Sequence, residues 1–216
     1  IYLTGQIKEN PSTAPNFCML LRKHIGNARI LSVTQPNFER IVEMQLEHLD
    51  EMGDLCQKKL IVEIMGKHSN IIFTDADGTI IDSIKHISHQ VSSVREVLPG
   101  RTYVYPPAQE KENPLDIDIN YFMNHVLRKP VSVTKAIYTS LTGLSPVIAN
   151  EICYRAGVDG GMSTAGLSMQ EQEDLYAAFD AMRTSIKEEQ FAPCIAYQGY
   201  APKEFAACTL TMYGEE

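Results

Sequence analysis

Three observations predict an α+β fold, with a largely antiparallel sheet followed by a helical module. Short runs rich in Ile, Val and Leu crowd the first ninety or so positions. Asp77-Gly78, set between Ile71-Ile72-Phe73 and Ile80-Ile81, is the turn chemistry that joins neighbouring antiparallel strands. From Tyr121 onward the apolar residues change to helical spacing.

Taken in order, Ile1-Tyr2-Leu3-Thr4 reads as the end of a strand, and the absent initiator methionine suggests a fragment whose N-terminus is missing. Pro15 to Ile25 places Phe17, Leu20, Leu21 and Ile25 at helical spacing, with Gly26-Asn27 as the stop. Strands are expected at Ala28–Thr34, Glu39–Leu49, Gln57–Met65, Asn70–Asp75 and Thr79–Ile87. Ile41, Met44, Leu46 and Leu49 share no single alternating phase, so that strand is either bulged or buried on both sides. Gly53-Asp54 marks a turn in the loop around Asp50–Leu55.

Pro99-Gly100 and Pro106-Pro107 then punctuate the chain, and a polar segment runs to Pro114. Phe122, Val126 and Leu127 form a helical stripe, followed by helices at Val133–Leu141, Pro146–Ala156 and Met169–Lys187. Ser168 with Glu171 three residues later is a capping box. Pro193–Tyr197 and Phe205–Tyr213 read as a closing pair of strands. The expected organisation is a β-rich domain over 1–110, a helical segment over 111–190 and closing strands over 191–216.

Composition narrows the function. The chain is 44% hydrophobic and 21% charged, which excludes a disordered or low-complexity protein. No apolar run approaches the roughly 18 residues of a membrane helix, and no basic-then-apolar leader opens the sequence. The cysteines, at 18, 56, 153, 194 and 208, are odd in number, scattered and free of any C-x-x-C. They fit reduced thiols in a cytoplasmic protein better than a disulfide framework or a zinc site. Residues 1–106 hold 11 Lys/Arg against 12 Asp/Glu, and residues 107–216 hold 8 against 15, so a polyanion would favour the first half.

Leu141-Thr142-Gly143-Leu144-Ser145-Pro146 is the sharpest local motif. An apolar–Gly–apolar turn with Ser as N-cap and Pro at the first helical position reads as a helix-hairpin-helix over about 137–157. Its backbone N–H groups could hold a phosphate; the alternative is a plain helix–helix connection. Gly66-Lys67-His68-Ser69-Asn70 lies between two strands and is either a phosphate-holding loop or a polar turn. It lacks the G-x-x-x-x-G-K-[ST] spacing of a nucleotide loop. Glu39-Arg40 sets an acid beside a base at a strand start, where neighbours face opposite sides. His86 and His89 have no third ligand nearby, so no metal or cofactor is implied, and no hydrolase motif occurs.

Several of these strings together resemble one family. They are Phe17-Cys18-Met19-Leu20-Leu21-Arg22-Lys23-His24, Gln35-Pro36-Asn37-Phe38-Glu39-Arg40-Ile41, and Val62-Glu63-Ile64-Met65-Gly66-Lys67-His68-Ser69-Asn70-Ile71-Ile72. Ile81-Asp82-Ser83-Ile84-Lys85-His86 and Arg95-Glu96-Val97-Leu98-Pro99-Gly100, with Tyr103 and Pro106-Pro107, extend the match, which with the helix-hairpin-helix included covers nearly the whole chain. The sequence resembles the NFACT N-terminal domain of the fibronectin-binding protein A, RqcH and NEMF ribosome quality-control family.

The resemblance implies a sheet domain related in fold to the N-terminal domain of formamidopyrimidine-type DNA glycosylases, then the helix-hairpin-helix. It also implies a non-enzymatic binding module. The partners would be tRNA (alanyl-tRNA in bacteria) and the large ribosomal subunit carrying a stalled peptidyl-tRNA, in support of C-terminal alanine tailing. The family's Asp-Arg pair needed for tRNA work aligns with Glu39-Arg40, where the acid is one methylene longer. Arg40, Lys67, His68, Ser69, Asn70 and Lys85 are the further residues expected to meet RNA from one sheet face. The alternative partner class is fibronectin or fibrinogen, met as a surface adhesin. A base-excising enzyme ranks last, since its N-terminal amine nucleophile would have to lie outside this sequence.

Overall fold

The computed structural model describes Gly5, residues 9–107 and residues 110–214. The strand end expected at Ile1–Thr4 lies outside them. The described chain divides into two compact units, residues 1–107 and 108–216, and the α+β class is as the sequence predicts.

The first unit is a five-stranded antiparallel meander, β1 (Arg29–Thr34), β2 (Ile41–Leu49), β3 (Leu55–Glu63), β4 (Asn70–Asp75) and β5 (Ile80–Ser83), in sequence order across the sheet. Helix α1 (Asn16–Ile25) precedes it. Side-chain acceptors close the tight connections. Asp50 Oδ1 accepts from the amides of Met52 (2.8 Å) and Asp54 (2.9 Å), and these bonds hold its carboxyl below the ordinary aspartate range. Asp75 Oδ1 accepts from the Thr79 amide at 2.8 Å to shape the Asp77-Gly78 turn.

The mixed phase of β2 resolves as burial on both sides. Its register with β3 runs unbroken from Ile41↔Glu63 to Leu49↔Leu55, and the shift falls instead in β1, between Ile30 and Ser32. Ile41 and Leu46 lie on opposite sides and are both buried. The Ile41 side carries Ile61, Ile72 and Ile80, covered by Val97, Ile87 and Tyr103 from the segment after β5. On the other side Phe73 is buried, with the His24 ring of α1 6.1 Å away.

Two strands are shorter than the composition suggests. β2 begins at Ile41, not Glu39, because Asn37 and Phe38 both take positive φ and the Glu39 amide folds back onto Pro36 O. β5 ends at Ser83, not Ile87, because the Lys85 backbone is taken by the Asn70 side chain rather than by the ladder.

In the second unit α2 (Ile119–Tyr121) runs into a π-helical turn (Phe122–Val126), followed by α3 (Val133–Ser140), α4 (Pro146–Arg155) and α5 (Met169–Lys187). Phe122, Ile137, Leu141, Ile152 and Leu175 are fully buried, and Phe122 stacks on Phe179 at 4.9 Å. Ser168 and Glu171 form the expected reciprocal capping box.

A hairpin of β6 (Cys194–Gln198) and β7 (Ala201–Ala206) follows, so the second closing strand lies earlier than Phe205–Tyr213. The turn at Gly199 returns the chain at once, and Thr211–Tyr213 forms a 3-10 turn. That turn is claimed by Glu151, a fully buried carboxylate. Glu151 accepts from Arg155 Nε (2.7 Å), the Thr211 amide (2.9 Å) and hydroxyl (2.6 Å), and the Met212 amide (3.0 Å). Burial alone would raise its pKa, but these donors outweigh burial and hold the carboxyl below its ordinary value. All five cysteines are free thiols.

Candidate nucleic-acid interface

Register brings the sequence candidates to one end of the sheet. There β2 begins, β3 ends, β4 begins and β5 ends, so Arg40, the turn Gly66–Ser69 and Lys85 occupy a common rim. The Ile64 amide donates to Arg40 O at 2.8 Å, tying the start of β2 to the chain entering the turn.

The turn is built from within. Gly66 takes φ +58°, a region open to glycine at no steric cost, and starts a single 3-10 turn through His68. The amides of His68 and Ser69 donate to Met65 O (3.1 Å) and Gly66 O (3.0 Å), and Ser69 Oγ accepts from the Met65 amide at 2.9 Å. Asn70 is buried: its Nδ2 donates to Lys85 O (2.9 Å) and its Oδ1 accepts from the Lys85 amide (3.0 Å). Lys85 Nζ donates to Lys67 O at 3.0 Å.

The seven residues therefore divide. Ser69, Asn70 and Lys85 make the bonds that shape the turn, whereas Arg40, Lys67 and His68 are exposed at the rim. Glu39 is half-buried next to exposed Arg40, and among the described residues neither forms an ion pair. Two consecutive positive-φ residues, Asn37 and Phe38, sit immediately before the pair; for bulky Phe38 this is an uncommon conformation, of the kind found at functional sites.

Two features of this end were not singled out from the sequence. Ile64, 44% exposed, is an apolar side chain between Arg40 and the turn. Beneath it Glu63, 1% exposed, accepts from Arg95 at 2.8 and 2.5 Å and from Tyr103 Oη at 2.9 Å. A third Arg95 bond reaches Val104 O at 2.8 Å, and Tyr105 Oη donates to Glu43. Burial first, then Glu63, raises the Tyr103 phenol far above its ordinary pKa; burial and Glu43 push Tyr105 up to about 12. The sequence signal for Glu63 was a charged residue in phase with buried Ile61, two positions before it.

The second candidate, Thr142 to Ser145, joins α3 and α4. Gly143 takes φ +76°, which only glycine adopts freely. Leu141 and Leu144 are buried on either side of it. Thr142 donates its amide to Glu112 O (2.8 Å) and its hydroxyl to Lys111 O (3.3 Å). Ser145 Oγ accepts from the Ile148 amide at 3.3 Å, and Pro146 has no N–H. The start of α4 is thus capped by the protein itself, and an anion there has to displace Ser145.

Among the described residues no three His, Cys, Asp or Glu side chains gather as a metal site. His86 pairs with Asp82 at 2.6 Å and His89 with Glu96 at 3.5 Å. No described helix is long and apolar enough to cross a membrane.

These features define a class: an antiparallel sheet domain with an ordered polar turn at one end, continued by a helical unit with a tight glycine hairpin. The chain belongs to the NFACT family, since the model described as NFACT N-terminal and middle domains matches residues 1–216. It is 39% identical over 196 residues to the Rqc2 homolog RqcH of Bacillus subtilis (strain 168), covering 90% of this chain and 32% of that protein. To the Rqc2 homolog RqcH of Streptococcus pneumoniae (serotype 2, strain D39 / NCTC 7466) it is 40% identical over 208 residues, covering 95% and 34%. The chain therefore spans about a third of the length of these relatives.

Among solved structures it is similar to the N-terminal part of the fibronectin/fibrinogen-binding protein of Streptococcus suis, with TM-score 0.75, 30% identity and coverage of 98% of this chain and 70% of that one. The fibrinogen binding protein of Staphylococcus aureus gives TM-score 0.77 at 27% identity, with 95% and 71% covered.

Proposed function

We propose that this chain is the tRNA-gripping part of a cytoplasmic, ribosome-associated quality-control factor. It binds tRNA on the large ribosomal subunit that carries a stalled peptidyl-tRNA, and so supports C-terminal alanine tailing with alanyl-tRNA. Its contribution is binding rather than catalysis. One observation carries the reading: Arg40, Lys67 and His68 are exposed together at one sheet end, around a turn whose remaining groups hold it in shape. A guanidinium can take phosphate or a guanine edge in a bidentate manner, and an ammonium adds a point charge for the backbone. Exposed Ile64 supplies an apolar surface for an unstacked base. The relatives named Rqc2 homolog RqcH support the same reading.

The test is Arg40→Ala in the full-length protein. Loss of one bidentate contact costs about 1–3 kcal/mol, so tRNA co-purification and alanine tailing should fall several-fold to a hundredfold while the fold is kept. Unchanged tailing sinks the assignment. A second reading, adhesion to fibronectin or fibrinogen, is supported by the likeness to the fibrinogen binding protein of Staphylococcus aureus and the fibronectin/fibrinogen-binding protein of Streptococcus suis. It requires saturable binding that persists at salt concentrations that release a charge-matched control.

A further inference from the structure

We infer that Arg95 and Tyr103, acting through the buried carboxylate of Glu63, are positioning residues that hold the RNA-binding rim in register. The inference rests on the proposed tRNA reading for its purpose, though not for its geometry.

Glu63 is the last residue of β3, pairs across the sheet with Ile41 and Asn70, and is followed directly by Ile64, whose amide is bonded to Arg40 O. A carboxylate at this depth needs full compensation, or burial forces it to move toward water. Among the described residues it is compensated from outside the sheet, by Arg95 and Tyr103, which lie 32 and 40 residues further along the chain. Arg95 also donates to Val104 O, closing the strap from Arg95 to Tyr105 on itself, and the strap is fastened to one side of the sheet by Arg95 and Tyr103 on Glu63 and by Tyr105 on Glu43. The Tyr103 and Tyr105 rings pack edge to face at 5.2 Å. A bidentate fork on Glu63 fixes both the position and the rotation of its carboxylate, and with it the exit direction of the chain into Ile64–Ser69.

The alternative is that the network only stabilises the unit. Glu63→Met, Arg95→Met and Tyr103→Phe combined separate the two, because replacing a complete buried polar group by apolar side chains often preserves stability. In the full-length variant, amide hydrogen exchange should accelerate at Ile64, Met65, His68 and Ser69. The Asp50–Asp54 turn, at the opposite end of the same hairpin, should stay as slow as before. Affinity for purified tRNA should fall about tenfold or more, the scale expected when groups are displaced without being removed. Equal acceleration at both ends, or unchanged exchange at the rim, overturns the inference. If the triple variant does not fold, Tyr103→Phe alone is read by the same exchange comparison: faster exchange confined to the rim supports the positioning role, and either of the other two patterns overturns it. Should the wild-type protein fail to hold tRNA, the proposed function falls by itself, while the exchange comparison still decides the positioning role.

Discussion

The two units differ in whether their candidate turn carries positive charge of its own. In the sheet unit Arg95 is turned inward onto Glu63, while Arg40 and Lys67 stand outward at the rim. In the helical unit four of the eight cations make internal contacts and Arg128, Lys135 and Lys187 are exposed, but the hairpin Thr142–Ser145 itself contains no Lys or Arg. Arg155 is held by Glu151 and Thr209 O, Arg183 by Asp180 and Ile117 O, Lys129 donates to Thr139 O, and Lys203 lies over the Tyr213 ring at 5.4 Å. Net charge sharpens the contrast, since residues 107–216 already carry 15 acids to 8 bases. A glycine hairpin with a helix start is therefore a weak anion site when its own Ser caps the helix and the hairpin carries no cation of its own. A modest polar turn becomes the stronger candidate because its cations are left over.

The largest effect that could break this comparison comes from Glu151. Glu151→Ala strands Arg155 and the Thr211 and Met212 amides, and should cost about 3–5 kcal/mol in denaturant unfolding of the helical unit. A loss below about 1 kcal/mol would mean the internal network is not what holds that unit. Acid provides the next test. The Glu151 carboxyl titrates below the ordinary value of 4.5, so the unfolded chain takes up the proton first. Its stabilisation is full above about pH 4.5 and is lost as pH drops through the lower folded value. In Glu151→Gln that acid-dependent component should shrink in a pH series of unfolding midpoints.

Smaller in stability is Tyr103→Phe, which removes one donor from Glu63 and should cost about 1–3 kcal/mol, read as a shifted unfolding midpoint. The finest comparison sets Lys67→Ala against Ser145→Ala. Lys67→Ala should leave stability within about 0.5 kcal/mol yet reduce the salt dependence of tRNA binding by about one unit of slope. Ser145→Ala should cost about 1 kcal/mol of stability through the lost cap and leave that slope untouched. A reversed pattern would relocate the RNA to the helical hairpin.

What could be read from the amino acids alone was whatever is decided within a few residues. Ser168 and Glu171 fix the start of α5, Asp77-Gly78 fixes the β4–β5 turn, and Ser145-Pro146 opens α4, each through chemistry local to the chain. The grouping of Arg40 with the 66–70 turn was legible as motif but needed strand register to place both at one end. The division of labour among those residues was not legible. Asn70 and Lys85 look as polar as His68, and only their bonds to distant backbone show that they shape the turn. The Glu63–Arg95–Tyr103 link spans too many residues for any periodicity to reveal it. The position of β7 was missed because Gly199 reverses the chain sooner than the apolar content of Phe205–Tyr213 suggests.

Glu151 also has a practical consequence for anyone cutting this gene. A product that stops between Ala206 and Thr211 would keep every helix of the second unit yet remove three of the four donors to a carboxylate sealed from water. The penalty would surface far from the cut, in the middle of α4. Deletion series of this protein should therefore show a sharp boundary for soluble yield just after Met212, with no gradual decline before it.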